Sequence, residues 1–127
     1  FAFVECKKQP GSTKLATKVL GHHLHTYGHL LKKEVEILKP NIIVCTNSKI
    51  YAKVREMYPA EEIHEFDGHK SLCVHFNKEA KTTTVILCSY HPSARHSEEN
   101  NYEGVIYHYR EFVKSKFFDY LKPLSEW

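Results

Sequence analysis

Pro40-Asn41-Ile42-Ile43-Val44-Cys45-Thr46-Asn47-Ser48 sets a helix breaker, an unbroken apolar run and two helix-capping side chains in immediate succession. Proline cannot continue a helix, and the residue before it is pushed toward extended backbone. Ile42-Ile43-Val44-Cys45 has no polar alternation, the pattern of a central parallel strand covered on both faces. Asn47 or Ser48 then caps a helix with Ile50, Val54 and Met57 on one face, closed by Pro59. Strand, tight turn and helix in this order are the unit of a parallel sheet flanked by helices.

The pattern extends in both directions. Over residues 19–38, Leu20, Leu24, Tyr27, Leu31, Val35 and Leu38 recur at steps of four and three, the stripe of a long helix. Phe1-Ala2-Phe3-Val4 opens a strand-like run over residues 1–6, and the Pro10-Gly11 pair interrupts the polar stretch after it. Downstream, residues 71–76 and 82–89 read as two strands joined by Asn77-Lys78-Glu79-Ala80-Lys81, a hairpin connection. The second contains Val85-Ile86-Leu87-Cys88, again apolar throughout. After a loop over residues 90–100, a last helix is expected from Asn101. Asn100 and Glu103 are spaced as a capping box, Ile106, Tyr109, Val113 and Phe117 point inward, and Pro123 ends it. The expectation is an α/β fold of three layers, α/β/α, with a mostly parallel central sheet. In such sheets ligands sit at the carboxyl ends of strands, which singles out the loops at residues 7–13, 46–48 and 89–100.

A chain of 127 residues with 42% hydrophobic and 26% charged side chains suffices for one core, so residues 1–127 read as a single domain. Its opening on Phe1 at a strand suggests truncation on the amino-terminal side. No apolar run nears the roughly 20 residues needed to cross a bilayer, and no leader pattern is visible. Cys6, Cys45, Cys73 and Cys88 lie far apart, the last three in apolar runs, as buried reduced thiols would. An intracellular location follows as an expectation. The net charge of +3 permits a polyanionic partner without demanding one.

Chemistry concentrates in Tyr90-His91-Pro92-Ser93-Ala94-Arg95, which leaves an apolar strand at its open end. His91 can donate to a carbonyl or stabilise a developing anion. Ser93 and Arg95 offer a hydroxyl and a bidentate fork to phosphate oxygens. The alternative is a turn in which Pro92 fixes the backbone and His91 caps a carbonyl.

His91-Pro92-Ser93-Ala94-Arg95 resembles the second signature motif of the uracil-DNA glycosylase superfamily, H-P-S-P or H-P-S-A followed by Leu or Arg. Glu36-Ile37-Leu38-Lys39-Pro40-Asn41-Ile42-Ile43-Val44-Cys45 is similar to that family's helix, L-x-P-x-V-I-V strand, small-residue turn and helix. Residues 4–11 resemble its strand leading into a P-P-G or Q-P-G loop. The resemblance implies a parallel sheet between helices and a DNA repair enzyme that hydrolyses the N-glycosidic bond of a flipped base such as uracil, with DNA as partner and no cofactor. It implies that His91 bonds the base carbonyl and stabilises the leaving anion, that Ser93 grips a flanking phosphate and that Arg95 stands at the wedge position, as in the single-strand-selective branch. Glu5 and Asn47 join His91 as candidate base-binding residues. Lys7, Lys8, Pro10, Gly11 and Ser12 join Ser93 and Arg95 as candidate DNA contacts.

Three features separate the chain from the family pattern. The first signature loop, which positions the attacking water, is not among these residues. Glu5 stands where the family reads uracil with asparagine, and a carboxylate cannot reproduce the paired donor and acceptor of an amide. Of the four cysteines of the iron–sulfur branch only Cys6 has a counterpart, so no cluster is expected. His25 and His29 lie one turn apart, yet no Glu follows His25 as in a metalloprotease helix, and solvated histidines are the simpler reading; no metal is expected. Two other functions fit the same residues: a DNA-binding domain of this fold without catalysis, and a nucleotide-binding α/β domain.

Overall fold

The computed structural model describes residues 17–89 and 98–121. Helix α1 (Thr17–Leu38) leads to strand β1 (Ile42–Cys45), then α2 (Ser48–Glu56), β2 (Ile63–Glu65), β3 (Leu72–Asn77), β4 (Thr82–Cys88) and α3 (Glu98–Val113). Short 3-10 turns occupy Ala60–Glu62 and Lys116–Tyr120. The strand order is β1-β4-β3-β2.

This is an α/β domain with a mixed sheet. Ile42 to Cys45 pair in parallel with Val85 to Cys88, while β3 runs antiparallel to both β4 and β2. The expected mostly parallel sheet is therefore not what the described residues form: one of their three pairings is parallel. The physical reason lies in the connections, because antiparallel strands need only a short link and residues 66–71 and 78–81 are short polar links. In the second link Asn77 Oδ1 accepts from the N–H groups of Glu79 and Ala80, both at 3.0 Å, and Lys81 turns at a φ of 53°. The hairpin read from the sequence is thus present, and β2 joins it as a third strand.

Apolar runs behave differently at the two positions where they occur. In β4, Val85, Ile86 and Leu87 are covered on both faces, at 0%, 0% and 1% exposure. β1 is the edge of the described sheet, and Val44 is 49% exposed, so its reading as a central strand does not hold among these residues.

Helices cover both faces. Phe112 of α3 and Phe117 meet Leu72, Val74, Val85 and Leu87 on one side. Tyr51 and Val54 of α2 meet Cys45, Cys73 and Ile86 on the other. Leu20, Leu24 and Leu31 of α1 are buried against Ile50 and Met57, as the periodicity predicts, whereas Leu38 at the helix end is exposed. The α1 backbone stops at Lys39, whose φ of 46° is left-handed, just before Pro40.

The last helix packs Tyr109 on the core as expected but departs from its expected register at both ends. It begins at Glu98, so Asn100 lies inside it and no capping box opens it there. It ends at Val113, which is exposed, and its buried anchor is Phe112. Phe117 is buried from the following turn instead. That turn is fastened by Thr83, whose buried hydroxyl donates to the Phe117 carbonyl at 2.8 Å. Thr83→Val keeps the shape and removes the donor, leaving a buried carbonyl unpaired. A loss of about 1–3 kcal/mol is expected in urea unfolding.

Candidate functional site at the carboxyl end of the sheet

β1 and β4 end side by side, with Cys45 opposite Cys88. The Ser89 N–H donates to the Cys45 carbonyl at 2.8 Å, and the Cys88 N–H donates to the Ser71 carbonyl at 2.9 Å. Glu65 pairs with Cys73, so the β2–β3 connection over residues 66–71 lies at the same end. Three chain segments converge there: the exit of β1 into α2, the exit of β4, and the connection into β3.

Asn47 is the candidate site residue that falls among the described residues. It holds an extended conformation (φ −154°, ψ 143°), and its Oδ1 accepts from the Lys49 N–H at 2.8 Å. Its carbonyl oxygen is thereby committed to capping α2, which is the structural role the sequence allowed; the side-chain amide donors remain. Asn47→Ala is expected to lower stability by about 1 kcal/mol, seen as a lower urea midpoint at unchanged slope, with most recovered in Asn47→Ser. Glu5, Lys7, Lys8, Pro10, Gly11, Ser12, His91, Ser93 and Arg95 lie outside the described residues, as does the strand expected over residues 1–6.

Sequence reasoning missed a second polar cluster at this end. His69 is 8% exposed, and its Nδ1 stands 2.9 Å from Nδ1 of His108 on α3. The Tyr107 ring, 62% exposed, lies 5.0 Å from the His69 ring. Glu111 Oε2 is 3.8 Å from His69 Nε2. The turn carrying His69 closes through His69 N–H to the Phe66 carbonyl at 3.0 Å, helped by Gly68 at a φ of 76°. Asp67-Gly68 was the one local signal for that turn; nothing local marks a partner 39 residues away. A cavity of about 260 Å³ opens beside it, lined by Arg55, Glu65, Phe66, His69, Lys70 and Leu72. Arg55 and Glu65 are ion-paired in its wall. A larger hollow of about 780 Å³ lies between α2 and β2, reaching Ala52, Tyr58 and Ile63.

Among the described residues, Cys73 and Cys88 show no sign of an activated thiolate. Burial pushes the thiols of Cys73 and Cys88 up from their ordinary range, so both stay protonated at neutral pH. No disulfide links Cys45, Cys73 or Cys88. His25 and His29 are exposed on α1. Among the described residues no group of three or more His, Cys, Asp or Glu side chains is arranged to hold a metal. No helix among them is long and apolar enough to cross a membrane. Compared with family models, curated proteins and solved structures, the chain matches none.

Proposed function

We propose that this chain belongs to a uracil-DNA glycosylase-like domain that hydrolyses the N-glycosidic bond of a flipped, deaminated base such as uracil. The observation that carries the reading is the joint end of the parallel pair: Ser89, one residue before Tyr90-His91-Pro92-Ser93-Ala94-Arg95, is hydrogen-bonded to the last residue of β1, two residues before the Asn47 cap. The end of β4 that precedes the motif in sequence, the tight turn and the helix start share one strand end, which supports the reading because ligands of α/β sheets sit there. In this reading the parallel part of the sheet comprises β1, β4 and the strand expected over residues 1–6, and the β2–β3 pair is an antiparallel extension.

The chemistry follows from the residues. Breaking the glycosidic bond leaves the bonding electrons on the base, water adds its oxygen to the sugar carbon, and the proton that water gives up passes through solvent to the departing base anion. His91 donates to the base carbonyl as that charge develops, Ser93 donates to a flanking phosphate, and Arg95 stands at the gap left by the flipped base. Glu5 favours one variation: an acidic acceptor in place of an amide suits a base with an exocyclic amino group, or a domain that binds DNA without catalysis.

The test is base release by the 127-residue chain and by any longer natural form, on single- and double-stranded oligonucleotides carrying uracil, hypoxanthine, xanthine or a thymine mismatch. Abasic sites are scored by alkali cleavage. Cleavage at one lesion identifies the base. DNA binding without cleavage in either form moves the reading to a binding domain of the same fold.

A further inference from the structure

We propose that His69 and His108 form a proton-sensitive latch that holds the β2–β3 connection against α3 at neutral pH and releases it when both imidazoles are protonated. The inference stands on the geometry of the pair and is independent of the glycosylase reading.

Two Nδ1 atoms 2.9 Å apart make a hydrogen bond only if one carries a proton and the other does not. A neutral pair meets this with the two rings in opposite tautomers. A singly protonated pair also meets it, because an imidazolium still donates to a bare nitrogen. A doubly protonated pair cannot: two N–H groups and two positive charges would face each other at hydrogen-bond distance, with His69 only 8% exposed.

Charged and aromatic groups surround the pair. Glu111 of α3 lies 3.8 Å from His69 Nε2, on the side away from His108, and shares that carboxylate oxygen with Lys114 at 3.9 Å. Tyr107 presents its ring to both imidazoles at 5.0 and 5.3 Å and adds no charge. From the other elements, Arg55, Glu65 and Lys70 share the cavity beside His69, with Arg55 and Glu65 already paired, and Asp67 lies in the turn itself. Burial, followed by the charge of His69, holds His108 below the ordinary histidine value of about 6.5.

A histidine depressed in the folded state stabilises the closed form above its ordinary value, and that contribution is lost as pH falls through the folded value. The latch is therefore shut at neutral pH and opens below about pH 6.5. What it frees is the connection whose last residue, Ser71, accepts from the Cys88 N–H beside the exit of β4.

The experiment is an NMR titration of the whole chain from about pH 8 to about pH 5, following imidazole nitrogens and the amides of residues 66–71. Bulk acid stability would not isolate the latch, because burial also lowers His75, on β3. The expected result is one protonated and one bare Nδ1 in the pair at the upper pH, and a His108 midpoint below that of free histidine. Amide protection of residues 66–71 should fall about tenfold with that same midpoint, after correction for intrinsic exchange. His108→Asn places a carbonyl oxygen near the position of Nδ1, and that oxygen accepts from His69 whether or not His69 is charged. It should keep the connection protected at the lower pH. A connection that opens equally in His108→Asn would overturn the latch. So would wild-type imidazoles that titrate while the amides stay still, and the wild-type titration decides alone if the variant does not fold.

Discussion

In His91→Ala, base release should fall about 10²- to 10³-fold while binding of the same oligonucleotide changes far less. Cleavage of the glycosidic bond places negative charge on the base carbonyl chiefly in the transition state, so a donor aimed there acts on the rate more than on the ground-state complex. The loss corresponds to about 2.7–4 kcal/mol, the usual effect of removing one oxyanion donor. Single-turnover rates with enzyme in excess measure the chemical step directly and keep product release out of the comparison. His91→Gln retains an N–H donor and should recover part of the rate. An alanine variant that turns over normally would remove His91 from the mechanism, and with it the residue on which the family reading chiefly rests.

The parts of this fold visible in the sequence are those set by local periodicity. Leu20, Leu24 and Leu31 mark the buried stripe of α1 because a helix returns to the same face every three to four residues. The Asn47 cap precedes Val54, buried on α2, and the Asn77 turn joins two strands whose apolar runs are long enough to be seen. What stayed hidden depends on neighbours. Ile42-Ile43-Val44-Cys45 reads the same whether one flank or both carry a strand, so its edge position in the described sheet could not be read from four residues. Ile63–Glu65 spans three residues, too short for any period to show. The register of α3 slipped because Phe112 and Val113 are both apolar and adjacent, and only the packing on Leu72 and Leu87 selects Phe112.

The same distinction separates the two halves of the candidate site. His91-Pro92-Ser93-Ala94-Arg95 is contiguous and could be recognised as a motif. His69 and His108 are brought together by the fold alone, one in a turn before β3 and the other on α3. The exit of β4, which leads in sequence to the motif, and the connection bearing His69 meet at one end of the sheet, where the Ser71 carbonyl accepts from the Cys88 N–H. A contact at Cys88 thus links the connection held by the histidine pair to the strand that leads into the motif.

That linkage requires α3 to stay docked, and Phe112→Ala is the substitution that tests it most severely. Phe112 is 0% exposed, packs with Leu72, Val74, Val85 and Leu87, and meets the rings of Tyr109 and Phe118 at 5.6 and 5.8 Å. Truncation to alanine removes its apolar burial and leaves a void that covered, interlocked neighbours cannot fill, a cost of about 3–5 kcal/mol. For a domain of this size the whole stability is about 5–15 kcal/mol, so the variant should melt roughly 10–20 °C lower. Ile37→Ala, at a side chain 78% exposed, should stay within about 0.5 kcal/mol and serves as the control. Because His108 and Glu111 ride on the same helix, the loosened α3 should also weaken the 2.9 Å imidazole contact before global unfolding. Amide protection of residues 66–71 should therefore drop in Phe112→Ala even at neutral pH. If the protein lost several kcal/mol while that segment kept its protection, α3 and the β2–β3 connection would be held together by something other than the histidine pair.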